Sequence, residues 1–299
     1  YLDGNVGGPI APAELLRQMS FHSVAVELAA RSGAAGPALT ISTGCTAGLD
    51  AVATAFDLIR SGVADAAIAG SAEAPLTPVV MAAFDLIGAT TRRNHDPGRA
   101  SRPFDRDRDG FVLAEGAALI LLEEHARAVK RGARIYAEIR GTASVSNAFH
   151  MTNLPAAGEA LARCIREALV DAQIDAEHVD HVSAHGSSTQ QNDLCETNAI
   201  KAALGETAAR VTVNALKSMV GHALGASNAL EVACCALELR HQFVCPTANL
   251  EEPGPGCDLD YVRGSGRARR LRHVVKLSNG FSGIHTAMVL SEAPCTAAS

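Results

Sequence analysis

The sequence has no tryptophan, and aromatic residues make up only 4% of its 299 positions. The net charge is −6, and no basic patch with interleaved aromatic residues is visible, so nucleic-acid binding is not indicated. No apolar run reaches the roughly 18 residues that a membrane-spanning helix needs, and we expect no membrane association. The apolar fraction of 47% is nevertheless enough for a sizeable core.

The eight cysteines lack a metal-binding spacing. None of them forms a C-x-x-C pair, so the sequence predicts no zinc or other metal. No signal-peptide pattern opens the chain, which favours reduced thiols in the cytoplasm. Lysine is scarce, with four residues against 22 arginines, and with the many alanines this is typical of a GC-rich bacterial source. The glycine-rich segment 1–10 begins with Tyr1 and is typical of the middle of a domain, so we expect a missing N-terminal part.

What is present is an alternation of strand-like and helix-like segments. Short apolar runs predict strands at 39–41, 64–70, 117–122, 135–145, 179–184, 211–213, 274–277 and 286–290. Helical periodicity predicts helices at 12–31, 45–59, 79–87, 123–131, 156–172, 193–204 and 223–240. A long polar loop is predicted at 90–109. The alternation indicates an α/β protein with helices on both faces of its sheets.

Cys45 falls where a predicted strand meets a predicted helix. Residues 42–44 (Ser-Thr-Gly) form a turn, and Cys45 enters the first turn of the helix. Unpaired N–H groups and the helix dipole stabilise a thiolate there and lower the thiol pKa from about 8.5. A small buried apolar residue, which most free cysteines are, fits the position equally well. This stretch alone leaves both interpretations open.

Two histidines occupy similar positions. His185 follows the strand predicted at 179–184 and enters a loop of Gly, Ser and Thr, while His222 lies between two glycines where a helix begins. Strand ends are where α/β proteins build their sites. His178, His181 and His185 also have a metal-like spacing, but the residues between them alternate as in a strand, which argues against zinc.

These motifs, in this order, resemble those of the β-ketoacyl synthases, the decarboxylating condensing enzymes of the thiolase superfamily. The nucleophile motif is Ser42-Thr43-Gly44-Cys45-Thr46-Ala47-Gly48. The histidine and lysine motifs are His185-Gly186-Ser187-Ser188-Thr189, Lys217-Ser218 and Gly221-His222-Ala223-Leu224-Gly225-Ala226. Further matching segments lie at 101–105, 108–117, 192–196 and 280–283, so that the resemblance covers about residues 1–291.

The resemblance implies a thiolase-like α/β fold. Two related halves, 1–145 and 146–299, would form a layered α-β-α-β-α architecture in which the N-terminal part is missing from this chain. The two halves are also suggested by the likeness of Thr40-Ile41-Ser42 to Thr212-Val213-Asn214, each followed by a turn and a helix.

Details favour the catalytic ketosynthase (KS-alpha) of type II polyketide synthases. The Thr-Gly-Cys-Thr sequence at 43–46 and the segments 113–118 and 147–152 fit that branch, whereas fatty-acid synthases usually carry Thr-Ala-Cys-Ala-like sequences. Two serines depart from the pattern, since Ser188 and Ser282 each stand where a glycine is usual, and the change at Ser282 could stiffen its loop. A frequent threonine is replaced by Ser187.

The resemblance also implies a mechanism for an acyltransferase. Cys45 is the nucleophile that holds the acyl chain, and backbone N–H groups of Cys45 and Phe281 form an oxyanion hole. When malonyl thioester loses CO2, His185 and His222 donate hydrogen bonds to the enolate oxygen. Lys217 orders and polarises the site, and Glu196 is expected to relay that effect. No cofactor is needed.

Further roles follow in the same way. Ser187 and Thr189 are implied to bind the phosphopantetheine arm of the substrate, Phe281 to gate the acyl tunnel, and Asp193 to support the site together with Glu196.

Partners and alternatives complete the prediction. The implied partners are an acyl carrier protein, steered by exposed arginines such as Arg60, Arg92 and Arg93, and either a chain-length factor in a heterodimer or a second copy in a homodimer. The alternatives are a β-ketoacyl synthase II-type enzyme of fatty-acid elongation and a non-catalytic subunit like the chain-length factor. Such subunits lose the nucleophile, so Cys45 argues against the second. A cysteine hydrolase is disfavoured because Gly44-Cys45-Thr46-Ala47-Gly48 lacks the spacing Gly-x-Cys-x-Gly.

Overall fold

A computed structural model of the chain describes Pro12, Leu16 and residues 20–293. The helices of this part that are long enough to label are α1 (Ser23–Ser32), α2 (Ala47–Arg60), α3 (Pro78–Leu86), α4 (His125–Lys130), α5 (Glu159–Ala172), α6 (Gln190–Leu204), α7 (Lys217–Val220) and α8 (Gly225–His241). Its strands are β1 (Ala66–Glu73), β2 (Gly116–Glu123), β3 (Ala137–Ser146), β4 (His181–Ser183), β5 (Thr212–Asn214), β6 (Phe243–Val244), β7 (Asp260–Tyr261), β8 (Arg267–Ala268), β9 (His273–Asn279) and β10 (Ile284–Glu292).

The chain divides into two compact units, Tyr1–Ser42 and Thr43–Ser299, which we describe separately. In the first, α1 ends at Gly33, which takes the left-handed conformation at φ +70°. Pro12 and Leu16 are also helical, and the rest of the helix prediction before residue 20 falls outside the described residues. The strand predicted at 39–41 is wrong: these residues form no strand, and Leu39 is exposed. A short apolar run becomes a strand only where a neighbour supplies hydrogen bonds, and no described strand pairs with it.

The second unit is built around a six-stranded mixed sheet. Its strand order is β3-β10-β9-β4-β5-β7, with β3, β10 and β9 antiparallel and β9, β4, β5 and β7 parallel. Parallel strands in the middle of a sheet are covered on both faces. Every residue of β4 and β5 is accordingly buried. This agrees with the strands predicted at 179–184, 211–213, 274–277 and 286–290.

Helices cover both faces of this sheet. On β9, Val275 and Leu277 face the cluster that contains α5 and α6, while Val274 belongs to the cluster that contains α2 and α8. This alternation is the period-2 pattern of a strand with two buried faces. The second cluster continues into the antiparallel pair β1–β2 through Ala69 and Leu122. The described layers are therefore helix, sheet, helix and sheet, which are four of the five layers in the expected α-β-α-β-α order.

Two details of the sequence prediction need correction. The strand predicted as buried at 64–70 is β1, of which only Ala69 is buried. Its pair with β2 packs on one face only, and among the described residues Leu119 and Leu121 stay exposed on the other. Helix α5 begins at Glu159 instead of 156, because Gly158 precedes it at φ +66°.

The fold brings several segments to one edge of the large sheet. Strands β4, β5 and β9 are parallel, so their carboxyl ends lie at the same edge. His185 follows β4, Lys217 follows β5 and Phe281 follows β9. No helix among the described residues is long and apolar enough to cross a membrane.

Candidate active site

Cys45 lies in a tight turn that leads into α2. Gly44 takes φ +66°, and residues 44–46 form one turn of 3-10 helix before α2 begins. The Asp50 carboxylate holds this turn together, since it accepts hydrogen bonds from Thr43 Oγ1 and from Thr46 Oγ1 at 2.7 Å. Thr286 Oγ1 on β10 donates to the same carboxylate at 2.6 Å. The turn is thus fastened to the large sheet.

Helix α8 fixes the turn from the other side. A Cβ atom at Gly48 would lie 2.5 Å from the Gly225 carbonyl oxygen and 2.9 Å from the Ala229 nitrogen, so only glycine allows α2 and α8 to approach this closely. The Asn228 side-chain amide donates to the Cys45 carbonyl oxygen.

The Cys45 thiol experiences opposing effects. Burial raises its pKa above the ordinary value of 9.0, and this effect exceeds the lowering by the Lys217 charge and by the backbone N–H groups of Phe281 and of Cys45 itself. The expected lowering of the pKa is therefore wrong in sign, because desolvation outweighs the N–H groups at this helix start. Those same N–H groups are the pair expected to form the oxyanion hole.

His185 is held by Glu196 and Lys217. The Glu196 carboxylate accepts the backbone N–H groups of His185 at 2.5 Å and of Gly186 at 2.9 Å. The Lys217 ammonium donates to the His185 carbonyl oxygen at 2.8 Å and contacts Nδ1 of its ring at 3.4 Å. An ammonium group only donates, so Nδ1 accepts and the ring proton resides on Nε2.

Lys217 has a partner that the sequence prediction missed. Its Nζ lies 2.6 Å from Oε1 of Glu231, whose Oε2 lies 2.6 Å from Nζ of Lys276, and all three side chains are buried. Glu196 instead accepts hydrogen bonds from the backbone N–H groups of His185 and Gly186. The carboxylate that contacts the Lys217 ammonium is Glu231, and the expected contact with Glu196 is not made. Two sequence signals mark the missed pair: Lys276 is one of four lysines and lies in an apolar strand, and Glu231 lies on a largely apolar helix.

His222 is oriented by Ser227. The Ser227 hydroxyl accepts the Ala223 N–H at 2.8 Å and lies 3.2 Å from Nδ1 of His222, to which its own proton can be donated. This again leaves the ring proton on Nε2. Burial and the Lys217 charge hold the pKa of both His185 and His222 well below 6.5. Both imidazoles are therefore neutral N–H donors at neutral pH.

A pocket of about 250 Å³ joins these groups. Cys45, His185, His222 and Phe281 all line it, and the two imidazole rings meet edge to face at 5.3 Å. Phe281 is partly exposed and lies 6.3 Å from the ring of Phe84. The arrangement places one thiol, two N–H donors and an aromatic ring around one cavity.

The supporting residues lie in the adjoining loop. Ser187 and Thr189 line the pocket, and their hydroxyls lie 3.0 Å apart. Thr189 also accepts the N–H of Asn192 and so caps α6. Asp193 is fully buried, accepts the Phe104 N–H at 2.7 Å, and lies near the Arg108 guanidinium.

The polar segment 90–109 is an ordered part of the site. Arg102 and Asp105 form a buried ion pair at 2.9 Å, and the Ser101 hydroxyl donates to the Lys217 carbonyl oxygen at 2.7 Å. The Ser188 hydroxyl accepts the Arg102 N–H at 3.0 Å. This loop therefore fixes the segments that carry Lys217 and His185.

Other candidate residues are separated from the pocket. His181 binds Thr212 and Asn214 through its two ring nitrogens, and His178 is exposed, so the three spaced histidines do not share one centre. Arg60 is paired with Asp57 and Asp171.

Comparison with known proteins places this geometry in a family. The models described as "Beta-ketoacyl synthase, N-terminal domain" and "Beta-ketoacyl synthase, C-terminal domain" match residues 13–128 and 136–251. The chain is 54% identical over 267 residues to the actinorhodin polyketide putative beta-ketoacyl synthase 1 of Streptomyces coelicolor. The matched stretch covers 89% of this chain and 57% of that protein. The chain thus spans less than two thirds of this relative's length.

Two solved structures have the same fold. One is a type II polyketide synthase acyl carrier protein in complex with its ketosynthase bound to the hexaketide, with a TM-score of 0.92, 47% identity, and coverage of 96% of this chain and 71% of the other. The second, the ishigamide ketosynthase/chain length factor, has a TM-score of 0.88 and 35% identity, and covers 95% and 68%. The chain has a thiolase-like fold and belongs to the β-ketoacyl synthase family, where its similarity is to type II polyketide ketosynthases.

Proposed function

We propose that this chain carries out decarboxylative condensation in type II polyketide biosynthesis, joining malonyl carrier protein to an acyl or polyketide chain held on Cys45. The observation that carries the proposal is one pocket lined by Cys45, His185 and His222, with Nδ1 of each histidine engaged and Nε2 left to donate. The similarity to ketosynthases of this pathway supports the same reaction.

The chemistry divides between the three side chains. Cys45 attacks the acyl thioester, and the backbone N–H groups of Cys45 and Phe281 stabilise the resulting oxyanion. Malonyl thioester then loses CO2, and the negative charge develops on the thioester oxygen. Two neutral N–H donors stabilise that enolate, because they add hydrogen bonds where charge forms. The carbanion attacks acyl-Cys45, which releases the thiolate and gives a β-ketoacyl product without any cofactor.

The proposed substrates arrive on an acyl carrier protein. Ser187 and Thr189 line the same pocket and offer hydroxyl groups to the phosphopantetheine arm. We propose a chain-length factor as the second subunit, since a related ketosynthase is described together with one. Of the three predicted arginines, we choose Arg92 for the contact with the acidic carrier protein, and its side chain is exposed.

Intact-mass analysis after incubation with the loaded carrier protein tests the proposal. We expect an acyl adduct on Cys45 and a condensed product when the malonyl donor is added. Cys45→Ala should give no adduct, whereas His185→Ala and His222→Ala should acylate but lose CO2 release at least 100-fold. His178→Ala, which changes an exposed histidine, serves as the matched control and should behave like the parent protein.

Two results would contradict the proposal. Absence of an adduct on Cys45 in the folded protein would reject the mechanism. Full activity of a homodimer with saturated acyl substrates, and none with the polyketide partner subunit, would assign the chain to fatty-acid elongation instead.

A further inference from the structure

A second group of ligand-type side chains lies where α8 ends. Cys234 and Glu238 are on α8, and Cys245 follows β6 directly. One ligand atom from each of the three lies within 4.8 Å of the others, and the two sulfurs are 3.8 Å apart. None of these residues lines the pocket of Cys45, and the condensation proposed above does not use them.

The Glu238 carboxylate has one oxygen to spare. Its Oε1 accepts the Asn214 amide and the Cys245 backbone N–H, both at 2.8 Å. Its Oε2 has no hydrogen-bond partner within residues 20–293, although the side chain is 3% exposed. The nearest cationic-type atom is Nε2 of His181 at 3.6 Å, which lies closer to Asn214. A buried carboxylate oxygen without a partner is costly, and a bound cation would satisfy it.

The distance between the sulfurs fits a tetrahedral metal ion. With Zn–S bonds of about 2.3 Å, tetrahedral coordination separates two thiolate ligands by about 3.8 Å. Thiolates and a carboxylate are ordinary ligands for zinc. Cys234 and Cys245 are both partly exposed, so an ion has a route in and a water molecule can complete the coordination.

We propose that Cys234, Glu238 and Cys245 bind a thiophilic divalent cation such as Zn²⁺ at a structural site that fastens the end of α8 to β6. Each thiol that coordinates the ion releases its proton to solvent, and no electron transfer is involved. The sequence prediction of no metal rested on spacing, and the fold joins cysteines that lie eleven positions apart.

Metal titration of the purified protein tests the site. Every protein in the test carries Cys45→Ala, since Cys45 and its two histidines are themselves metal-ligand types. Cd²⁺ and Zn²⁺ are added separately, and bound metal is measured after desalting, with the cadmium–thiolate ultraviolet absorption as the signature of sulfur ligands. We expect one ion per chain and a higher Tm with metal.

Matched variants locate the ion. Cys234→Ser and Cys245→Ser should abolish the absorption. Glu238→Gln keeps the size of the side chain and an oxygen that can accept hydrogen bonds, but removes the negative charge, and should weaken binding at least tenfold. Cys164→Ser should bind like the parent, because Cys164 lies outside the proposed site and a hydroxyl can replace its thiol as the donor to the carbonyl oxygens of Ala143 and His285. Thermal unfolding without metal establishes that each variant is folded.

Two outcomes would overturn the proposal. One is unchanged cadmium binding by folded Cys234→Ser. The other is a protein that binds no metal but has lost two free thiols, since that result would make Cys234 and Cys245 a disulfide pair. Neither outcome affects the proposed condensation, which is measured on Cys45.

Discussion

At the scale of single residues, the sulfur of Cys45 combines a helix start with a buried pocket. The sequence predicts the position of this thiol and of the two histidines that share its pocket, because motif residues at strand and helix ends specify them. The direction of the pKa shift depends on how much protein surrounds the sulfur, and sequence spacing does not report burial. The ion pair of Lys217 with Glu231 was missed for a related reason: the partner lies 14 residues away and on another helix.

The raised pKa of Cys45 predicts the pH dependence of its alkylation. Only the thiolate reacts with iodoacetamide, so the rate of labelling at Cys45 should keep rising between pH 7 and 9 without reaching a plateau. Peptide mapping at each pH measures this rate. A plateau at or below pH 8 would mean that Lys217 and the backbone N–H groups outweigh desolvation.

Replacing Ser188 or Ser282 by glycine should have opposite effects on the stability of the protein. Both take left-handed φ values, +67° and +68°, which cost a non-glycine residue about 1–2 kcal/mol. Ser282→Gly should therefore stabilise the protein by up to about 1 kcal/mol. Ser188→Gly relieves the same strain but removes the acceptor of the buried Arg102 N–H, a loss of about 1–3 kcal/mol, and should destabilise it.

Urea unfolding of the two variants measures this difference. Equal shifts of both unfolding midpoints would show that the Ser188 hydroxyl contributes nothing. Since Ser282 adjoins Phe281, the acyl-chain preference of Ser282→Gly also reports whether the serine stiffens the loop of Phe281, the residue expected to gate the acyl tunnel.

At the scale of elements, the crossing of α2 and α8 positions Cys45, the proposed nucleophile. Gly48→Ala places a methyl group against backbone atoms that cannot move independently, and overpacking of this kind costs about 1–3 kcal/mol. We expect lower stability and slower acylation of Cys45. Gly98→Ala is the control, because a Cβ there meets nothing within 4 Å. Similar urea midpoints for the two variants would show that the helices separate without cost.

Elements were predicted well where periodicity and burial agree. Helices α5, α6 and α8 and strands β9 and β10 follow their apolar patterns to within a few residues, because each buries a continuous face. The prediction was wrong at 39–41 and overstated burial at 64–70. Both depend on which strands lie alongside, and this is a property of the assembled sheet that a local apolar run does not contain.

At the scale of the whole molecule, buried histidines and buried carboxyls set the pH range of stability. Burial lowers the pKa of His181 to about 3 and of His285 to about 4, and also lowers the pKa values of His185 and His222. The unfolded chain therefore binds more protons below pH 6.5, and stability falls as the pH decreases.

The carboxyls act in the other direction. Burial raises the pKa of Glu196 to about 7 and of Glu238 to about 8. The folded protein then binds more protons than the unfolded chain above about pH 4.5, and stability falls as the pH rises through 7 and 8. Burial likewise raises the pKa values of Glu73 and Asp193 and lowers that of His273. Five histidines therefore oppose four carboxyls on the acid side, so we expect a stability maximum near pH 6.5.

Urea unfolding between pH 4.5 and 8.5 tests this expectation. His181→Gln should flatten the acid limb by removing one titrating group, whereas an exposed His178→Gln should leave it unchanged. Stability that increases steadily from pH 6.5 to 8.5 would contradict the role assigned to the buried carboxyls.

Helix α8 has a consequence for how such chains can be recombined. Asn228 reaches the Cys45 turn, Glu231 joins Lys217 to Lys276, and Glu238 reaches Asn214, all from one helix. A single residue inserted between them would rotate everything beyond it by about 100° and advance it by about 1.5 Å. Insertions are thus forbidden within 228–238, and hybrids made with related ketosynthases must inherit this helix whole, from one parent.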